Sequence, residues 1–178
     1  MSNRIMLDIE TLGTKPGSII VSIGAVRFTE NEITDKFYGR IDPKSSEEYG
    51  FTMDVSTVLW WLNQSDASRA ELYAPGRDLT EVLGNFTVWA LRGGMVTEMW
   101  GCGADFDNAH LAYAYQKLRE NAPWSFWTNR CYRTMKALFP QAKVERIGTH
   151  HNALDDAATQ AQHLIEIQKM LSPVPTSN

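Results

Sequence analysis

Five ionisable residues fall into three short clusters that together suggest a reaction. They are Asp8 and Glu10 in Leu7-Asp8-Ile9-Glu10-Thr11, Asp107 in Asp105-Phe106-Asp107-Asn108, and His151 and Asp156 in His151-Asn152-Ala153-Leu154-Asp155-Asp156-Ala157. Four carboxylates gathered in one place repel one another and need divalent cations to stay ionised. A histidine beside such cations is placed to take a proton from an attacking water.

Each cluster alone is open to a plainer reading. Asp8 and Glu10 are two apart in a strand-like segment, so their side chains share one face while Ile5, Leu7 and Ile9 take the other. Burying an acidic pair on so apolar a strand is costly unless something pairs with it, yet an isolated Asp-x-Glu is common and is usually just a solvated strand end. Asp107 follows an expected strand and opens an expected helix, where an acid is favoured by the helix dipole without any further role. Asp105 competes with it: Asp105 suits the cap position, Asp107 an inward-facing ligand. His151 and Asp156 bracket the start of the last helix. Asp155 lies about 100° from Asp156 around the helix axis, so only one of the two faces inward. His150 competes with His151.

The elements that must position these residues follow from periodicity. Residues 4–9, 18–29 and 33–41 read as strands joined by short links carrying Gly13, Pro16, Gly17 and Asn31, which suits antiparallel connections. Helical spacing then sets in over 55–63, with Asp54 as candidate cap, and over 66–72, capped by Ser65. A helix over 79–91 ends at Gly93-Gly94. A strand over 95–100 precedes a helix over 106–120, a short strand over 126–128, a helix over 132–139 and a long final helix over 152–171. Ala153, Ala157, Ala161, Leu164 and Ile167 form the inner stripe of that last helix, and its alanines permit a close approach to the sheet. The pattern predicts an α/β fold, a mixed five-stranded sheet flanked by helices with its first three strands antiparallel. One domain over 1–171 and a mobile tail over 172–178 complete the expectation.

Composition narrows the setting. The chain has 178 residues, 43% of them hydrophobic and 21% charged, the balance of an ordinary globular domain. It contains no apolar run long enough to span a bilayer and no signal-peptide core at its start, so a cytoplasmic location is expected. Two cysteines give no disulfide framework and no Cys-x-x-Cys pair. The net charge of −4 argues against gripping nucleic acid by charge alone. Five basic residues nevertheless cluster between Arg130 and Arg146 (Arg130, Arg133, Lys136, Lys143, Arg146) against one acid, Glu145. They form either a solvated face or a phosphate-facing rim.

Taken in order, the three clusters resemble the motifs of the DEDDh group of DnaQ-like 3′→5′ exonucleases, which have the ribonuclease H-like fold. The first matches as Asp8-Ile9-Glu10-Thr11, the second around Phe106-Asp107, and the third as His151-x-Ala153-x-x-Asp156-Ala157. The last match selects His151 over His150 and Asp156 over Asp155. Residues 56–65, Ser-Thr-Val-Leu-Trp-Trp-Leu-Asn-Gln-Ser, and 129–134, Asn-Arg-Cys-Tyr-Arg-Thr, resemble the branch that holds exonuclease A of T-even phages and the mycobacterial ribonuclease RNase AS. The resemblance implies two Mg²⁺ or Mn²⁺ ions held by Asp8, Glu10, Asp107 and Asp156, and His151 as the base that deprotonates water. The product would be nucleoside 5′-monophosphates from single-stranded DNA or RNA 3′ ends. It implies that Thr11, Leu12 and Gly13 touch the terminal nucleotide, and it raises the expectation of a homodimer. Trp61 is a candidate stacking platform, and Arg130 and Arg133 are candidate phosphate contacts. The phage-like segment leans the substrate towards DNA; an exoribonuclease of the RNase AS type is the alternative, and a non-catalytic nucleic-acid-binding module on the same fold a third reading.

Overall fold

In the computed structural model, which describes residues 2–171, a five-stranded sheet runs in the order β3-β2-β1-β4-β5. The expected tail lies outside the described residues. The strands are β1 (Asn3–Thr11), β2 (Ile20–Phe28), β3 (Ile33–Arg40), β4 (Val96–Gly101) and β5 (Asn129–Cys131). β1 pairs antiparallel with β2, and β2 with β3; β1 pairs parallel with β4, and β4 with β5. The first three strands join through short turns, whereas β4 and β5 each follow helical connections, as parallel pairing demands. This is the mixed sheet that the periodicity predicts.

Every residue of β1 is buried because helices cover both faces of the sheet. On one face Met6 and Val26, paired across β1 and β2, meet Tyr132 of α6 (Tyr132–Leu138) and Ala157, Ala158, Ala161 and Leu164 of α7 (Ala153–Leu171). On the other, Ile5, Leu7, Ile23 and Ala25 pack with Phe86 and Trp89 of α4 (Leu79–Arg92) and Leu111 and Ala114 of α5 (Asp107–Lys117). The alternation along the strands thus divides the apolar side chains between two layers. Each fully buried Leu, Ile or Phe in them contributes about 1.5–3 kcal/mol. α2 (Val55–Leu62) and α3 (Asp66–Tyr73) lie between β3 and α4 in sequence. α3 is capped as expected, Ser68 N–H donating to Ser65 Oγ.

Four details differ from expectation. A helix absent from the sequence reading, α1 (Pro43–Glu48), is capped by Asp42 and has Pro43 in its first turn; its sequence, Pro-Lys-Ser-Ser-Glu-Glu, has no apolar period to reveal it. Residues 126–128 form a 3₁₀ turn, closed by Thr128 N–H and Oγ1 donating to Ser125 O, and the strand begins only at Asn129. Asp54 stands at the start of α2 but caps no helical N–H; its carboxylate accepts from Thr14 N–H at 3.3 Å, steadying the turn after β1. Helix α5 stops at Lys117, short of residue 120, where Arg119 turns into the left-handed region with φ 61°.

Candidate active site

The site lies where the carboxyl end of β1 meets the starts of α5 and α7. Asp8 and Glu10 project to the α7 face. Asp8 is paired with Gly24 across the sheet, and a side chain on Gly24 would place its Cβ 2.1 Å from the Ala153 carbonyl carbon. Only glycine lets the first turn of α7 sit this close to β1 and β2. That packing brings Asp156 down towards the strand acids. One turn further on, Gln160 Nε2 donates to Asp8 Oδ1 at 2.7 Å.

Asp107 approaches from the other side of the strand end. It is buried at the start of α5, with Ile9 N–H donating to its Oδ1 at 3.3 Å and its Oδ2 without a partner. Phe106 occupies the cap position, and exposed Asp105 makes no cap bond, contrary to the role expected for it.

The loop before α7 is tied by its own acids. Asp155 accepts from Thr149 N–H at 2.7 Å, Asp156 Oδ2 accepts from His151 N–H at 2.9 Å, and Asn152 Oδ1 accepts from Leu154 and Asp155 N–H at 3.1 Å. Gly148, at φ +63°, clears the Asp155 carboxylate, which a Cβ there would meet at 2.0 Å. His151 is itself left-handed, at φ 61°, a conformation unfavourable for a residue with a side chain and found mostly where a site over-determines it. The result brings a carboxylate oxygen of Glu10, one of Asp156 and a ring nitrogen of His151 within 4.8 Å of one another. His150 presents its carbonyl to Ser68 Oγ at 2.9 Å, and the residue lines a separate cleft.

The electrostatics are those of crowded acids out of water. Burial pushes the Asp8 carboxyl well above its ordinary value, helped by Asp107, Glu10 and Asp156 and opposed by the Gln160 hydrogen bond. Burial, then Asp156, Asp107 and Glu71, raises Glu10 to about 8. Burial raises Asp107 to about 7 against the backbone N–H of Ile9. His151 is held below the ordinary histidine value, chiefly by burial, so its imidazole is neutral at neutral pH. Hard, mutually repelling oxygen donors, one of them a buried carboxylate oxygen with no partner, suit divalent cations of the magnesium kind.

Beside Glu10 opens a cleft of about 400 Å³ lined by Thr11, Gly13, Thr14, Trp60, Trp61 and Phe106. Trp60 is 43% exposed, whereas Trp61 is 1% exposed and donates Nε1–H to Thr11 O at 2.9 Å. Both rings lie edge-on to His151, at 4.9 and 5.8 Å between centroids. Trp61 therefore forms fixed wall, and Trp60 is the ring free to stack. Leu12 is buried in the core and does not line the cleft. Arg130 is exposed and donates to the carbonyls of Trp127 and Asn129. Arg133 donates to Cys102 O at 2.8 Å and its charge reaches Asp107.

Several participants escape a reading of the sequence. Arg146 Nη1 donates to Asp156 Oδ1 at 2.6 Å and its Nη2 to Thr149 O at 2.5 Å; the basic run ending beside His151 was its only signal. Gln160 falls four residues after Asp156, on the same helix face, and that spacing was a usable clue. Nothing local marks Gly24. On α3, Ser68 holds His150 O, and Glu71 accepts from Asn152 Nδ2 at 2.8 Å while pairing with Arg40 at 2.8 Å and with the Tyr38 hydroxyl.

The sheet order is that of the ribonuclease H-like exonuclease fold, and the sequence places the chain among 3′→5′ exonucleases, hydrolases of phosphodiester bonds. Residues 3–168 match the family described as the 3′-5′ exoribonuclease Rv2179c-like domain, and the chain belongs to that family. The fold is similar to the nuclease domain of 3′hExo, a DEDDh family member solved with rAMP bound (TM-score 0.65, 14% identity, 95% of this chain and 92% of that one). It is similar also to S. pombe Pop2p in a form with Mg²⁺ and Mn²⁺ bound (TM-score 0.60, 12% identity, 94% and 83%). A third likeness is to a full-length 3′-exonuclease (TM-score 0.58, 12% identity, 96% and 84%). No curated protein matches the chain in sequence.

Proposed function

We propose that this exonuclease is an exoribonuclease that uses two Mg²⁺ or Mn²⁺ ions and releases nucleoside 5′-monophosphates from single-stranded RNA 3′ ends. The observation that carries it is that buried Asp8, Glu10 and Asp107 crowd with Asp156, and that Glu10 and Asp156 lie within 4.8 Å of His151. The choice of RNA over DNA is supported by the description of the matching family and by the rAMP bound to the 3′hExo domain, against which stands only the phage-like segment at 56–65. Mg²⁺ and Mn²⁺ are the ions of the Pop2p structure.

Asp8, Glu10, Asp107 and Asp156 would hold the cations, which when bound lower the pKa of water and neutralise charge building on the phosphate. The cleft of Thr11, Gly13, Trp60 and Phe106 receives the terminal nucleoside and fixes the phosphorus next to the carboxylates. His151, its backbone N–H anchored on Asp156, takes the proton of the attacking water. The water oxygen bonds to phosphorus, and the 3′ oxygen of the preceding nucleotide leaves and is protonated from solvent. Trp60 and Trp61 restrict the imidazole to the position in which it can do this.

The test is side-by-side turnover of matched RNA and DNA oligonucleotides with free and blocked 3′ ends, in Mg²⁺ and in Mn²⁺. Mononucleotide release from free-ended RNA is expected, with His151→Ala slower by about 10²–10⁴-fold. Faster release from DNA would reverse the substrate assignment, since discrimination must come from the 2′-OH. Full activity in both Asp8→Ala and His151→Ala would show that the catalytic groups are elsewhere.

A further inference from the structure

A second cleft, of about 420 Å³, opens between α6 and α7, bordered by Arg146, the ion-pair partner of Asp156. Lys136, Lys143, Arg146 and His150 line it, and no carboxylate does, in a chain whose net charge is −4. Glu145, the one acid of that run, is exposed and is not part of the lining. Among the described residues neither Lys136 nor Lys143 is paired with an acid. The wall is fixed by buried His163. Its Nε2 lies 3.0 Å from Ala142 O and its Nδ1 2.7 Å from the Tyr132 hydroxyl. A carbonyl only accepts, so Nε2 carries a hydrogen, and the Tyr132 hydroxyl closes the bond at Nδ1. The segment bearing Lys143 is thereby pinned to α7.

We propose that this groove seats the phosphodiester backbone of the substrate strand upstream of the nucleotide being removed; the inference rests on the exonuclease reading above. Glu10 borders the nucleoside cleft, and Glu10, His151 and Asp156 are within 4.8 Å of one another. Arg146, 2.6 Å from Asp156, borders the basic groove. A strand with its last nucleoside in the first cleft and its scissile phosphate at the carboxylates continues past Arg146 to Lys143 and Lys136. The recognition is of charge, so it is independent of base sequence. The five basic residues of the 130–146 run divide accordingly: three line the groove, while Arg130 and Arg133 bond backbone carbonyls elsewhere.

The test compares kcat/KM on an RNA of about a dozen nucleotides with that on a dinucleotide, for wild type, Lys136→Ala/Lys143→Ala and Lys136→Arg/Lys143→Arg. The ratio of long to short substrate is expected to fall roughly tenfold or more in the alanine pair and to recover in the arginine pair. The slope of log affinity against log salt for the long RNA should shrink by about 1.4, two single-strand phosphate contacts. A ratio that the alanine pair leaves in place overturns the groove while leaving the exonuclease intact. If wild type releases no mononucleotide, the exonuclease reading fails instead. The groove is then judged by fluorescence anisotropy of the labelled long RNA, where equal binding by wild type and the alanine pair overturns it.

Discussion

Among the described residues Gln160 is the only side chain that donates a hydrogen bond to Asp8, and it does so through its amide at 2.7 Å. Partners of this kind orient a ligand and tune its basicity. Gln160→Leu is expected to weaken Mn²⁺ affinity or activity by about 10–100-fold, read by calorimetric titration and by kcat. Unaltered Mn²⁺ binding and turnover would mean that Asp8 needs no such support. At this scale the sequence was legible in part. The acids and His151 stood out because their chemistry is rare in such an ordered set. Gln160 and Arg146 did not, because an amide or a guanidinium acquires its role only from what folding sets against it. Trp61 illustrates the same limit: adjacent tryptophans alternate faces, but which one faces solvent is decided by the Nε1–H bond to Thr11 O.

Two elements do most to place the site. The contact of α7 with β2 depends on Gly24, so Gly24→Val must push the helix start away from Asp8 or strain both. A loss of about 1–3 kcal/mol or more is expected in urea unfolding, together with loss of activity. Wild-type stability in that variant would mean that α7 does not seat on the sheet as described. The second element is α3, which fastens the histidine loop at Ser68–His150 and Glu71–Asn152. Glu71→Ala should leave the sheet in place, raise hydrogen exchange of the 148–152 amides and lower kcat by about tenfold or more. Exchange identical to wild type would count against α3 as the fastening. Strands, and helices with an apolar stripe, were readable from periodicity. α1 was not, having no apolar residue, and the 126–128 turn was mistaken for a strand because its aromatics carry strand preference while local bonds to Ser125 decide its shape.

For the molecule as a whole, burying these carboxylates links stability to pH and to metal. Glu10 and Asp107 titrate at about 8 and about 7 in the fold, above their ordinary 4.5 and 3.8, so the folded chain holds protons that the unfolded chain releases. Their contribution is full below about pH 4 and is lost as pH rises through about 7 to 8. In EDTA the thermal midpoint should therefore fall between about pH 6 and about pH 8. Mg²⁺ should raise it, most at the alkaline end, because cations displace those protons. At a hundredfold excess over its Kd an ion adds about 2.7 kcal/mol. A midpoint that climbs with pH in EDTA, and ignores Mg²⁺, would contradict the picture. The mixed sheet was readable at this scale from strand order alone; the two clefts were not, because each joins residues distant in the chain.

The most direct measurement is anomalous scattering from crystals soaked in Mn²⁺. The expected result is manganese between Asp8, Glu10, Asp107 and Asp156, with the His151 ring beside it. Crystals that hydrolyse RNA with Mn²⁺ yet show no manganese among those four carboxylates would contradict the assignment of this site.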